Sequence, residues 1–229
     1  MPPNPFRALL IGSSGTIGSA FLALLQNDPN CASVTGIHRH SEIPIDYEDL
    51  SSIELAAQVL STHAPFHLII NTIGILHSEE WMPEKRLQDL NAEQLSKLMQ
   101  INAIGPALTL KYFAGLLDPE SSTMAILSAK VGSITDNRLG GWYSYRASKA
   151  ALNMLIKTTA IEFARTKPNT VLVAMHPGTV NSHLSKPFRG EQIGRPALDA
   201  AGDMLSVINS LNKEDSGTFI TYSGERLPW

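Results

Sequence analysis

The stretch Ala8-Leu9-Leu10-Ile11-Gly12-Ser13-Ser14-Gly15-Thr16-Ile17-Gly18 is a short apolar run that breaks into glycine at every third position. The run predicts a strand, and residues 20–25 after it predict a helix. Glycine in such a turn permits a positive φ, lets the backbone approach a pyrophosphate closely, and lets the helix pack against the strand. The helix N-terminus then offers unpaired N–H groups and partial positive charge to phosphates. Gly12, Gly15 and Gly18 are therefore candidate dinucleotide-binding residues. Ser13 and Ser14 are candidate hydroxyl donors, and Ile17 sits in the same turn. An ordinary glycine-rich strand-to-helix turn is the competing reading. Its position directly after the first strand favours nucleotide binding.

Outward from this turn, strands and helices alternate. Strands are expected at 34–38, 43–45, 68–72, 124–129, 171–175 and 217–222. Helices are expected at 48–60, 145–166 and 196–209, with a long helical pattern over 92–117 that Gly105-Pro106 should bend. The strand runs are short and apolar on both faces, which suits a parallel sheet covered by helices. No linker or repeat divides the 229 residues. The expected fold is α/β, with 1–229 as one Rossmann-type domain: a doubly wound parallel sheet with helices on both faces.

Composition narrows the function. The net charge of -3 gives no electrostatic case for nucleic acid or an anionic membrane. The apolar runs are too short to span a bilayer. Prolines occupy the N-terminal positions where a signal peptide needs a basic start and an apolar run. The single cysteine, Cys31, cannot form an intrachain disulfide and reads as structural, which favours a reducing compartment. A cytoplasmic protein without membrane or nucleic-acid partners is expected. His63 and His67 flank Pro65, and His38 and His40 lie by a strand end. Neither pair has an obvious third ligand, so no metal is expected.

The end of the second strand carries His38-Arg39-His40-Ser41 and no carboxylate. A carboxylate there would bind a ribose hydroxyl and repel a 2′-phosphate, whereas Arg39 would attract the phosphate. NADP(H) is the preferred cofactor, with NAD(H) possible. Farther on, Tyr145 and Lys149 are four residues apart at the start of a helix, which places them on one face, one turn apart. An ammonium beside a phenol lowers the phenol's pKa, so that the pair can exchange a proton with a carbonyl or alcohol oxygen. The spacing alone is weak, since a surface pair gives the same pattern. Tyr143 has Ala147 at the same offset and lacks the lysine.

Together these residues resemble the short-chain dehydrogenase/reductase family along nearly the whole chain. Asn71-Thr72-Ile73-Gly74 is similar to its Asn-Asn-Ala-Gly segment, where Gly74 would give room beside the adenosine ribose. Asn102, ahead of Gly105-Pro106, is similar to the helix asparagine whose water connects to the catalytic lysine. His176-Pro177-Gly178-Thr179-Val180 resembles the turn under the nicotinamide, with the Val180 backbone on the carboxamide. Asp46 is similar in place to the aspartate that contacts adenine. The resemblance extends to sniffer-type carbonyl reductases and C-factor-like proteins through Gly132-Ser133-Ile134, Gly140-Gly141-Trp142 and the Leu227-Pro228-Trp229 end.

The resemblance implies a carbonyl–alcohol oxidoreductase with Tyr145, Lys149 and Asn102 in its catalytic set. A short substrate loop is implied at about 183–195, where Lys186 and Arg189 could meet an acidic substrate. Trp142 and Phe188 could line the pocket. A homodimer or homotetramer is implied, through apolar faces around 98–101 and 152–156 that core packing would explain equally well. One departure stands out. The family's serine at the end of the fifth expected strand falls here on Ala129. Ser133 from the loop, or Ser128 at a twisted strand end, could supply the missing hydroxyl, or none does. That departure motivates the alternative of a nucleotide-binding regulatory or signalling protein with weak or no catalysis.

Overall fold

The computed structural model describes residues 4–229. Its strands are β1 (Phe6–Ile11), β2 (Cys31–Ile37), β3 (Leu68–Asn71), β4 (Ser122–Leu127), β5 (Thr170–His176), β6 (Phe219–Thr221) and β7 (Arg226–Leu227). They form one sheet in the order β2-β1-β3-β4-β5-β6-β7, parallel except for the β6–β7 hairpin. The helices are α1 (Thr16–Gln26), α2 (Ser51–Leu60), α3 (Ala92–Met99), α4 (Gly105–Phe113), α5 (Tyr143–Thr166), α6 (Gly190–Ile193) and α7 (Ala197–Ser210).

Alternation along the strands builds two cores. Leu9, Ile11, Ile69, Met124, Ile126, Leu172 and Ala174 face one side, with residues of α2, α4 and α5. Ala8, Leu10, Ile70, Ala125, Leu127, Val173 and Met175 face the other, with residues of α1 and α7. Both faces are buried, which explains why the strand runs carry no polar alternation. The chain goes from β1 out to β2, then returns to the far side of β1 with β3. This reversal leaves a crevice beyond the carboxyl ends of β1 and β3, where ligands bind in open α/β sheets.

The structure corrects three expectations. Residues 43–45 form no strand. Pro44 has no N–H to give a ladder, and the segment is held instead by Ile45 N–H to the His38 carbonyl at 3.2 Å. Asp46 therefore lies on a loop. The pattern over 92–117 is not one bent helix. It divides into α3, a π turn at Gln100–Ile104, and α4 with Pro106 near its start. A proline cannot give its N–H to the preceding turn, and the wider π turn bridges the break. Finally, β7 was not foreseen.

The glycine turn is fixed by close approach. Gly12 has φ +85°, and a Cβ placed on Gly18 would lie 2.1 Å from the Gly12 carbonyl oxygen. Gly18→Ala is expected to cost about 1–3 kcal/mol, a fall in Tm of roughly 3–10 °C for a chain of this size. An unchanged thermal melt would contradict this packing.

Candidate active site

Two adjoining clefts open along the carboxyl ends of the strands. The upper one, about 210 Å³, is lined by Gly12, Ser14, Gly15, Arg39, Asp46 and Tyr47, among others, with Thr72, Ile73 and Gly74 opposite. Glycines 12 and 15 expose backbone there because α1 begins directly behind them, with Gly15 at its N-cap. Arg39 is mostly exposed at the rim, and its Nε stands 3.8 Å from an Asp46 carboxylate oxygen. Thr72 braces the turn: its hydroxyl donates to the carbonyls of Ile11 and Gly12 at 3.0 and 3.1 Å.

Three expected cofactor residues stand behind the wall of this cleft. Ser13 is buried and packs against Gly36, where an added Cβ would come within 2.9 Å of its side chain. It is not a hydroxyl donor to the cleft. Gly18 packs beneath the turn. Asn71 is fully buried; its Nδ2 donates to the Tyr47 hydroxyl at 2.7 Å, and its Oδ1 accepts from Ile73 N–H at 3.1 Å. Asn71 thus shapes the cleft through Tyr47 and the 71–74 backbone. Tyr47, which sequence reasoning missed, also bonds Thr109 at 2.6 Å. Burial raises its phenol pKa well above the ordinary range.

The lower cleft, about 540 Å³, is lined by Tyr145, Ala129 and Ser128, the turn from His176 to Val180, Trp142, Phe188 and other residues. Ile17 borders it from α1. Tyr145 and Lys149 lie on one face of α5, with the Lys149 ammonium 5.9 Å from the phenol ring centre. Lys149 is buried, and its Nζ donates to the Leu127 carbonyl at 3.2 Å. Burial brings its pKa down from 10.5 to about 8. Burial also pushes the Tyr145 phenol above its ordinary value. Desolvation therefore outweighs the lowering that a neighbouring ammonium was expected to produce.

Asn102 sits in the π turn and is fully buried. Its side chain bonds both backbone groups of Ile75, at 2.9 and 2.8 Å, and donates to Ser148 Oγ at 3.1 Å. A Cβ on Gly74 would lie 3.2 Å from both Asn102 Oδ1 and Lys149 Nζ. The segment after β3 is thereby held against the lysine.

Neither candidate serine aims a free hydroxyl into the cleft. Ser133 does not line it: the Ser133 hydroxyl donates to the Trp229 carbonyl at 3.3 Å and accepts from Asp136 N–H at 3.1 Å. The Ser128 hydroxyl donates to Asn153 Oδ1 at 2.6 Å, one turn beyond Lys149. Ala129 fronts the cleft.

His176 is held neutral near physiological pH, its pKa lowered to about 4 by burial and by Lys130. Gly178 has φ +73°, and Val180 bridges to Arg195, closing the base of the 181–194 loop. From that loop Phe188 packs tilted against Trp142, ring centres 4.8 Å apart, and the Leu184 carbonyl meets His77 Nε2 at 3.2 Å. Lys186 pairs with Glu191 at 3.2 Å. Neither Lys186 nor Arg189 lines the cleft; Lys130, Arg138 and Arg146 do. The helix faces around 98–101 and 152–156 divide between core and surface. Leu98, Ile101, Leu152 and Ile156 are buried within the subunit, while Met154, Leu155 and Ile161 are exposed. His67 accepts from Arg7 N–H and faces Asp118. Among the described residues no helix is long and apolar enough to cross a membrane.

A family model described as enoyl-(acyl carrier protein) reductase matches residues 23–215. The C-signal protein of Myxococcus xanthus is 34% identical over 166 residues, covering 72% of this chain and 93% of that one. The solved carbonyl reductase Sniffer of D. melanogaster has a TM-score of 0.85 at 20% identity, over 99% of this chain and 100% of that chain. An NADPH-bound carbonyl reductase from chicken fatty liver has a TM-score of 0.83 at 24% identity, again over 99% and 100%. At these identities the two structures establish the fold.

The depressed lysine pKa has a stability consequence. The folded state disfavours the Lys149 ammonium, so its penalty is present in full below about pH 8 and fades as pH rises toward 10.5. The penalty is on the order of 3 kcal/mol. Lys149→Met is expected to melt higher than the wild type at pH 7, with the difference shrinking toward pH 10. Equal or lower Tm at pH 7 would show that the lysine is not paying a burial penalty.

Proposed function

The chain belongs to the short-chain dehydrogenase/reductase family of NAD(P)-dependent oxidoreductases, and on that premise we propose that it interconverts a carbonyl compound and an alcohol, with NADP(H) preferred over NAD(H). The observation that carries this reading is Tyr145 and Lys149 together on one face of α5, both buried, with Tyr145 lining the lower cleft beside Ala129 and the lysine behind it. The cleft fits a dinucleotide. Glycine backbone lines its upper half, Arg39 stands at the rim for a 2′-phosphate, and the Pro177–Gly178–Val180 turn lines the lower half.

NADPH supplies a hydride when bound. The chain's own part is the proton. Burial keeps the Tyr145 phenol protonated, so it is poised to donate to a carbonyl oxygen as that oxygen gains negative charge. Lys149, which carries its charge below about pH 8, stabilises the phenolate left behind. Gly12, Ser14, Gly15, Asp46 and Gly74 hold the adenosine half, with Asn71 and Tyr47 shaping the wall. We read residues 1–229 as one cofactor-binding unit of the cytoplasm, with the loop at 183–195 closing on a small-molecule substrate. Its exposed Met154, Leu155 and Ile161 on α5 fit a homodimer or homotetramer.

Ala129 favours a second reading, a nucleotide-binding regulatory or signalling protein whose catalysis is weak. A preorganised donor at the developing oxyanion contributes about 3 kcal/mol, and here methyl stands in its place. The two readings separate on turnover. Tyr145→Phe is expected to lower carbonyl reduction by about 10²–10⁴-fold with NADPH affinity within a few-fold of wild type. Arg39→Ala should weaken NADPH about 10- to 100-fold and leave NADH nearly unchanged in calorimetric titration. Near-wild-type turnover in Tyr145→Phe would sink the catalytic reading.

Ala129→Ser restores a hydroxyl at the cleft and is expected to raise kcat by about 10-fold or more. NADPH binding with no turnover in either the wild type or Ala129→Ser, across a carbonyl panel, would favour the regulatory reading.

A further inference from the structure

Helix α5 carries Tyr145 and Lys149, yet it lacks the local devices that usually fix a helix start. Its N-cap, Trp142, is left-handed at φ 53°, its side chain caps nothing, and the first turn holds no acidic residue. The first four N–H groups of a helix need partners from elsewhere.

Those partners come from Glu84, sixty residues away in sequence and only 2% exposed. The Glu84 main-chain carbonyl accepts from Trp142 N–H at 2.5 Å. Its carboxylate accepts from Ser144 N–H at 3.2 Å and also from the Ser144 hydroxyl. Ser144 directly precedes Tyr145. A buried carboxylate requires charge-assisted hydrogen bonds, and a helix N-terminus adds partial positive charge.

We propose that Glu84 is a positioning residue for Tyr145, setting the height and rotation of the first turn of α5 from outside the helix. The proposal rests on the reading of Tyr145 as proton donor. The Tyr145 hydroxyl itself is bonded to no described residue, so the phenol's place depends on its backbone and on ring packing. That packing comes from Trp142, 6.2 Å away between ring centres, and from Leu76 and Leu98. The segment that delivers Glu84 is itself anchored. Gln94 Nε2 donates to the Met82 carbonyl at 3.1 Å, and Trp81 joins the cluster around Tyr145. On the other side, the Arg146 guanidinium donates to the carbonyls of Gly140, Gly141 and Val131. Tyr145 is thus flanked by one residue held by a buried carboxyl group and one that ties down the approach to the helix.

The test compares Glu84→Ala, Glu84→Gln and Ser144→Ala with the wild type. The readouts are kcat and KM on the best carbonyl substrate, calorimetric Kd for NADPH, and hydrogen exchange over residues 142–149. A displacement of about 1 Å costs on the order of 100-fold in rate. Glu84→Ala is expected to lower kcat by about 10- to 100-fold, leave NADPH Kd within about twofold, and speed exchange only in the first turn of α5. Glu84→Gln keeps an acceptor for Ser144 N–H and should recover most of the rate. A kcat for Glu84→Ala within about twofold of wild type, or faster exchange spread over the whole chain, overturns the proposal. If Glu84→Ala does not fold, Ser144→Ala must still lower kcat, and an unchanged kcat overturns it. If the wild type reduces no carbonyl, the reading of Tyr145 has failed. Exchange in the first turn of α5 then decides separately whether Glu84 holds it.

Discussion

Burial of the Lys149 ammonium is the constraint around which the site is built. A cation out of water needs close polar partners and a tight fit. The Leu127 carbonyl supplies the partner at the end of β4. The fit shows in what surrounds the side chain. A Cβ on Gly132 would come within 2.7 Å of the Lys149 Cβ, and one on Gly74 within 3.2 Å of its Nζ. The π turn carries Asn102 to the same spot, where it clamps Ile75 and with it the segment that covers the lysine. Three separate segments, after β3, after β4 and at the π turn, are shaped to one buried charge.

The same burial acts on Tyr145 in the opposite sense, and the two effects combine. Low-dielectric surroundings favour the neutral lysine and the neutral phenol alike. On the proposed reading, such a pair keeps its proton on the phenol until negative charge develops on a nearby oxygen. Stability is given up to hold this arrangement, as active sites commonly do.

What was legible in the sequence is what depends on neighbours in the chain. Glycine at every third position and apolar runs at strand spacing act locally, and they placed the turn at 12–18 and the helix of Tyr145 and Lys149. What was not legible depends on distant partners. Ser133 looked available from its loop, yet the Trp229 carbonyl takes its hydroxyl proton, across 96 positions. Asn71 resembled a cofactor ligand, but Tyr47 takes its amide. Residues 43–45 had strand-like isoleucines and a proline that no ladder accepts. Glu84 gave one faint signal, the missing cap of α5, and a missing cap does not say where its substitute lies.

The loop over the lower cleft closes at its own base. Asn181 N–H reaches the Arg195 carbonyl, and Arg195 N–H reaches the Thr179 carbonyl, each at 2.9 Å. The segment between those two rungs is seated at its base like a cartridge in a socket. The entropy of closing a loop rises only slowly with its length, so insertions or deletions in the middle of the loop cost the socket little, while Gly194, where a Cβ would lie 2.6 Å from Asn181 N, must stay. On the proposed reading, selection can therefore rewrite what the molecule accepts without touching how it handles a proton. A lineage could diversify its substrates through this one cassette while Tyr145, Lys149 and their supports stay fixed.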